Sequence, residues 1–323
     1  MKGKIQKFLL HYGVLVSAGL LCVFFAIQEP RFATMNNILN LLREMAILGL
    51  FALALTIVVI TGGFDLSFAS GATMAGIVGL VLIREFGFSI YSGFLIVFVI
   101  NVVLAALKGL FVVQFGMPAF IATLGVSTLC MGVSRLLTGG TTYFAAEWPK
   151  GFEVLGRGEI GPVPVQVIIL IVLGLMAMVV MDRMRFGRYA YAVGGNTQAA
   201  RHVGIKTERT RFLAWLLAGV LCGVAAVVLI SMLGAGSPEM GEGYTMPAIA
   251  AMFLGCVAYR EGVPNIPGVL TATAVLAILS NGFVMMGMRF YWKDVMQGLV
   301  LLIAVGVVSV IKRGKLYEVI AGF

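Results

Sequence analysis

The sequence predicts an all-α polytopic membrane protein of about ten transmembrane helices, with one further short helix on its cytoplasmic side. Three observations carry that prediction. Of the 323 residues, 60% are hydrophobic and 11% charged, whereas a soluble domain is about a quarter charged. The apolar stretches are continuous rather than alternating, which selects helices over barrel strands wherever backbone amides must be satisfied within hydrocarbon. Charge-poor runs recur near the ~20 residues that a spanning helix needs.

Ten such runs follow in order. The first, 8–28, comes after Lys2, Lys4 and Lys7. It is too long for the apolar core of a signal peptide and has no A-x-A-like site, so it reads as a retained helix. The next four are 45–62, 66–83, 89–113 and 118–138, with Lys108 inside the last but one of these. Then come 163–181, 212–233, a short run at 245–259, 267–286 and 293–311. Residues 1–323 thus read as one membrane domain, interrupted by a polar loop at 183–211.

Lysine and arginine accumulate in short loops on the cytoplasmic side. The N-terminal lysines, the C-terminal Lys312, Arg313 and Lys315, and the loop with Arg183, Arg185, Arg188, Arg201, Lys206, Arg209 and Arg211 all fall on one side of a ten-span topology. Both termini are therefore expected in the cytoplasm. The 139–162 and 234–244 segments fall outside, with Glu147, Glu153, Glu159, Glu239 and Glu242.

Several function classes are disfavoured. A net charge of +9 would suit nucleic acid only as a soluble basic patch, and these positives sit at membrane edges. The four cysteines lie within spans without C-x-x-C spacing and read as packing residues. Two histidines, His11 and His202, cannot assemble a metal site or a catalytic set. "GFEVLGRG" from Gly151 imitates a P-loop but has Arg157 where lysine belongs, so no ATP site is expected in this chain.

Within the polar loop, Asn196 suits an N-cap, 197–203 suits a helix of about two turns, and Gly204 suits a left-handed C′ position. Ile205 would then close a Schellman motif onto Ala200. Arg201 and His202 fall in the last turn, where positive charge complements the helix dipole. So short a helix is marginal in water. Either it is a capped turn packed on the bundle, or it docks a cytoplasmic partner through Gln198, Arg201 and His202.

A second polar interruption, "TGGFDLSFAS" at 61–70, combines a glycine break with Asp65 as a cap and Ser67 and Ser70 near one face. An ionisable group at membrane depth also invites a functional reading. A related break, "REGVPNIPG" at 260–268, follows the eighth run, and paired breaks of this kind line transport routes elsewhere. Asn101, Ser127, Thr128, Asn281 and Gln297 are pore-lining candidates or interhelical hydrogen bonds, and Phe120 is a gate or a packing residue. "GVLCG" at 219–223 allows two helices to approach closely.

The motifs "GGFDLSFASGATMAG" (62–76), "PAFIATLGVSTLCMGVSRLLTGG" (118–140), "GRYAYAVGGNTQAARHVGI" (187–205) and "NGFVMMGM" (281–288) occur in this order. Together they resemble the ribose-type permease family of ABC importers, which move monosaccharides and related small ligands. The run "GCVAYREGVPNIPG" at 255–268 departs from that family's glycine-rich turn, keeping Gly268 as its closing glycine.

The resemblance implies a permease subunit in a bacterial inner membrane that binds no cofactor itself. ATP and Mg would sit on a cytoplasmic ATPase subunit gripping a coupling helix at Gly194, Gly195, Asn196, Gln198, Arg201, His202 and Gly204. A periplasmic or lipid-anchored binding protein would deliver the ligand, and a second permease copy or a paralogue would complete the pathway. Asp65, Ser67, Ser70, Phe120, Asn281 and Gln297 are the pathway or helix-break candidates. The alternative is a self-contained carrier coupled to an ion gradient through Asp65 or Lys108.

Overall fold

The computed structural model describes residues 2–144, 148–259, 262–289 and 291–311, with the side chains of 2–12 and 310–311 left aside. The C-terminal basic residues, Glu147 and the pair Arg260 and Glu261 lie outside the described residues. The chain opens with α1 (Lys2–Gln28), α2 (Met35–Ile60), α3 (Phe68–Glu85), α4 (Ile90–Gly109) and α5 (Ala119–Thr138). A π-helical turn, Leu110–Gln114, extends α4. Strand β1 (Tyr143–Phe144), the short α6 (Val154–Arg157), β2 (Glu159–Ile160) and β3 (Val163–Pro164) form the next connection. Then come α7 (Val165–Asp182), α8 (Arg185–Gly195), α9 (Thr197–His202) and α10 (Thr207–Leu233). Strand β4 (Ala235–Gly236), α11 (Glu242–Gly255), α12 (Ile266–Met285) and α13 (Tyr291–Ile311) complete the order.

Among the described residues, 8 helices are long and apolar enough to cross a membrane: α2 to α5, α7, α10, α12 and α13. The first and eighth expected runs correspond to α1, whose apolar stretch Gly13–Gln28 is shorter, and to α11, which has only 14 residues. Helix α2 is the centre of the bundle. Residues 46–60 are buried on every side, as an all-round apolar helix must be. Its polar first third, with Asn37, Arg43 and Glu44, is also helical, so α2 begins ten residues before the charge-free run suggested.

Helices α4 and α10 meet through the glycines of "GVLCG". A methyl group on Gly219 would press on Ala105 and the Asn101 carbonyl, and one on Gly223 on Phe98. The close approach expected of that motif is therefore present.

Two faces can be distinguished: the one carrying α8 and α9, here the basic face, and the opposite one. On the opposite face residues 148–157 lie over the end of α10. β1 pairs antiparallel with β4, and β2 with β3. The Arg157 guanidinium donates to the carbonyls of Met232 (2.7 Å) and Leu233 (3.2 Å). The residue that imitates a P-loop position thus satisfies the open carbonyls of a helix C-terminus.

The described parts of the connection between α11 and α12, 256–259 and 262–265, are tied to the ends of those helices by one buried side chain. Asn265 Nδ2 donates to the carbonyls of Gly255 (3.1 Å) and Ala258 (2.9 Å), while Oδ1 accepts from Gly268 N–H (2.8 Å) and caps α12. Replacing Asn265 by alanine removes the cap and strands two carbonyls, so a loss of about 1–3 kcal/mol is expected. Thermal unfolding in detergent measures it; an unchanged midpoint would contradict this role.

Candidate translocation and coupling sites

Two helices begin deep within the bundle rather than at its surface. After α2 ends at Ile60, residues 61–67 turn back along it, and α3 starts beside Phe51. The Phe51 ring contacts the rings of Phe68, the first residue of α3 (5.6 Å), and Tyr244 in the first turn of α11 (5.7 Å). Phe51 lies roughly 14 Å from the end of α2 at 1.5 Å per residue. The chain entering α11 comes from the opposite face and descends along α3. Gly236 lies against Ile77 and Leu80, Met240 against Gly76, and Gly241 N–H donates to Thr73 Oγ1 at 3.0 Å.

Irregular backbone is tolerated at membrane depth only when buried in protein or facing a polar cavity. Both breaks are covered by protein: Leu66 N–H donates to Thr123 Oγ1 of α5, and Gly241 lies against Ala69 of α3. The chain thus enters α11 through a non-helical segment at 234–241, in addition to the break expected at 260–268, of which Arg260 and Glu261 lie outside the described residues. The short α11 is explained too: the non-helical chain at 234–241 covers the first part of its crossing.

Asp65 sits in the first of these breaks. The expected cap is corrected: Ser67 occupies the N-cap position of α3. Asp65 Oδ1 instead accepts from the N–H and hydroxyl of Ser67, both at 2.8 Å, in an Asx-type turn. Its Oδ2 accepts from Lys108 Nζ at 2.6 Å. Asp65 is 2% exposed and Lys108 4%, so the pair is sealed inside the bundle. The Lys108 ammonium also lies 5.7 Å from the centre of the Trp215 ring, a cation–π contact favoured by desolvation. The π-helical turn begins just beyond Lys108; such bulges are frequent at functional positions.

The other pathway candidates separate. Ser70 Oγ donates to Ser127 Oγ at 2.9 Å, tying α3 to α5. Asn281 and Asn37 exchange reciprocal amide bonds of 2.8 and 3.0 Å between α12 and α2. Asn101 turns back to its own helix at Val97, and Thr128 does the same at Leu124. Phe120 lies on the outward side of α5, 40% exposed. Gln297 lines a cavity with Glu44, Tyr244, Ser280 and Lys293. Sequence reasoning passed over those four companions, since Glu44 and Lys293 stand just at the ends of charge-free runs.

On the basic face α8 and α9 form one unit, of which α8 was not expected. Its buried residues, Gly187, Ala190 and Val193, recur at helical spacing, while Arg188 points outward. Gly194 packs so closely that a methyl group there would overlap the Ile60 carbonyl at the end of α2. Gly195, next to it, has open space. Helix α9 has the expected ends. Asn196 Oδ1 accepts from Ala199 N–H at 2.9 Å. Gly204, at φ +83°, donates to Arg201 O at 3.0 Å, and Ile205 to Ala200 O at 3.1 Å. These two bonds complete a Schellman motif. Ala200 is buried; Gln198, Arg201 and His202 are exposed, and Val203 protrudes with 77% exposure. Arg201 reaches Glu208 in the first turn of α10 at 3.0 Å, an exposed pair of little energetic weight.

Helices broken inside a membrane bundle are a recurrent arrangement among transport proteins. The chain belongs to the family described as the branched-chain amino acid transport system / permease component, which it matches over residues 37–305. It is 34% identical over 298 residues to the ribose import permease protein of Bacillus subtilis, covering 88% of each chain. To the ribose import permease protein of Escherichia coli it is 30% identical, covering 93% of this chain and 94% of that one. To the xylose transport system permease protein of Escherichia coli it is 28% identical, covering 88% of each. The solved structure of an inward-facing metal-chelate type ABC transporter aligns with a TM-score of 0.54 at 15% identity, over 92% of this chain and 98% of that one. That likeness concerns the fold alone.

Proposed function

We propose that this chain is the permease subunit of an ATP-driven importer for a monosaccharide or similar small polar ligand in a bacterial inner membrane. The basic face is cytoplasmic, and both termini lie on that side. Helix α9 docks in a cytoplasmic ATPase subunit, which carries ATP and Mg, and a binding protein delivers the ligand to the opposite face. A second copy or a paralogue completes the pathway. ATP-driven closure of the ATPases moves α8 and α9, and the Gly194 contact passes the movement to α2.

The observation that carries this reading is α9 itself. It is capped at both ends, anchored by Ala200, and leaves the side chains of its exposed face committed only to a weak surface ion pair. The sugar is supported by the names of the ribose and xylose permeases above. An ion-coupled carrier is disfavoured because Asp65 and Lys108 are committed to each other in an ion pair closed off inside the bundle.

The double variant Arg201→Glu, Gly204→Pro tests this. Proline cannot adopt φ +83° or donate the closing bond, and the charge reversal inverts the docking face. Transport and ATPase association should both be lost while membrane insertion persists. Uptake by the purified chain alone in vesicles, without ATP or partner, would overturn the proposal in favour of the carrier.

A further inference from the structure

We infer that the cavity between α2, α11, α12 and α13 is a binding site for a neutral polyhydroxylated molecule of monosaccharide size. The cavity has a volume of ≈ 180 Å³. Its polar lining is Glu44, Tyr244, Ser280, Lys293 and Gln297, and Leu48, Pro247 and Leu276 form an apolar wall.

The hydrogen bonding leaves capacity facing the cavity. Ser280 Oγ (2.8 Å) and Lys293 Nζ (3.1 Å) both donate to Glu44 Oε1. Among the described residues no hydrogen bond falls on Glu44 Oε2 or on the Gln297 amide. A carboxylate oxygen, an ammonium with donors to spare and an amide offering both functions are what adjacent hydroxyl groups require. The charges decide between ligand classes. Glu44 and Lys293 compensate each other at about one-third exposure, so neither an anion nor a cation gains from net charge, whereas a neutral polyol meets charged hydrogen-bonding partners. Leu48, Pro247 and Leu276 offer a surface for the C–H face of a sugar ring.

Position supplies a second, independent argument. Gly243, Tyr244 and Pro247, which line the cavity, belong to the first turns of α11, and Tyr244 rests on Phe51 where the two broken helices meet. Binding sites at discontinuous helices near the membrane interior are a recurrent arrangement. Pro247 within α11 also removes one intrahelical donor there, which keeps backbone polarity available beside the cavity. The choice of a sugar among neutral polyols rests on the importer reading above.

The test uses the purified full chain in lipid nanodiscs carrying Gln297→Cys, labelled with a polar maleimide, with the unsubstituted chain as the control for the native cysteines. Labelling is timed in ribose, xylose, leucine or an osmotically matched sucrose solution. Ribose or xylose should slow labelling by about tenfold at roughly ten times its dissociation constant, as simple occupancy requires. Adding Glu44→Gln should abolish that protection while the rate in sucrose stays unchanged. If that variant fails to insert, Tyr244→Phe provides the same comparison and should weaken the protection.

Equal rates in every solution overturn the site, as does protection that survives both substitutions. Protection by leucine alone overturns the polyol assignment. Sugar uptake by the assembled transporter, measured in parallel, separates the two levels. Uptake without protection of the Gln297→Cys thiol refutes the site and leaves the importer standing, whereas leucine protection without sugar uptake refutes the sugar importer as well.

Discussion

Asp65→Asn is expected to destabilise the protein by about 3–5 kcal/mol, because it leaves the Lys108 ammonium buried without a counter-ion. The substitution is a stringent one. Asparagine can still accept the bonds from the Ser67 N–H and hydroxyl, so the turn into α3 survives and only the ion pair is lost. Adding Lys108→Met should restore most of the stability, since replacing both members of a buried pair by uncharged groups is often neutral or better. Thermal unfolding of the two variants and the wild type in detergent reads this out. If Asp65→Asn melted with the wild type, the pair could not be holding the break in place. If Lys108→Met failed to rescue it, Asp65 would owe its importance to something other than the lysine.

Gly194→Val is expected to reduce transport at least about tenfold while leaving the ATPase bound, a combination that Arg201→Glu with Gly204→Pro does not share. The added branches would overlap the Ile60 carbonyl, and overpacking of this kind costs about 1–3 kcal/mol. The strain is relieved most simply by moving α8 away from the end of α2. Helix α9 keeps its own caps at Asn196 and Gly204 and so keeps its docking surface. Gly195→Ala is the matched control: it meets open space, sits in a helix and should transport normally. Co-purification of the ATPase and uptake in reconstituted vesicles are the two measurements. Loss of both with Gly194→Val would place Gly194 in the docking surface itself.

Hydrophobic length made the membrane helices legible, and hydrogen-bonding chemistry made α9 legible. The ends of α9 are set by residues 196 to 205 alone, so a local reading of caps places Asn196, Gly204 and Ile205 correctly. Helix α8 escaped because Arg185 and Arg188 make it look like loop, whereas it is buried through Gly187, Ala190 and Val193, with Gly187 packed on Met181 at the end of α7. Asp65 and Lys108 were each conspicuous as charges at membrane depth. Their pairing is a tertiary fact across 43 positions that no local spacing announces. The same holds for Glu44 and Lys293, 249 positions apart. The break at 260–268 is legible because proline and glycine cluster there. Asn265 closes that turn, whereas the further break at 234–241 is announced only by small residues and Pro238.

The brevity of α11 also bears on how the protein is made. At 14 residues it spans about 21 Å, short of the roughly 30 Å hydrocarbon core. Insertion machinery judging one segment at a time would meet a helix too short to hold a transmembrane position, opening on Glu242 and preceded by non-helical chain bearing Glu239. Neither Phe51 nor the groove along α3 can receive it until α2 and α3 are already in place. The segment from α10 to α12 is therefore expected to enter as a unit onto a preformed N-terminal half, with α11 settling last. A nascent chain released after residue 255 would expose this segment, making the second half of the protein the natural point at which membrane quality control intervenes.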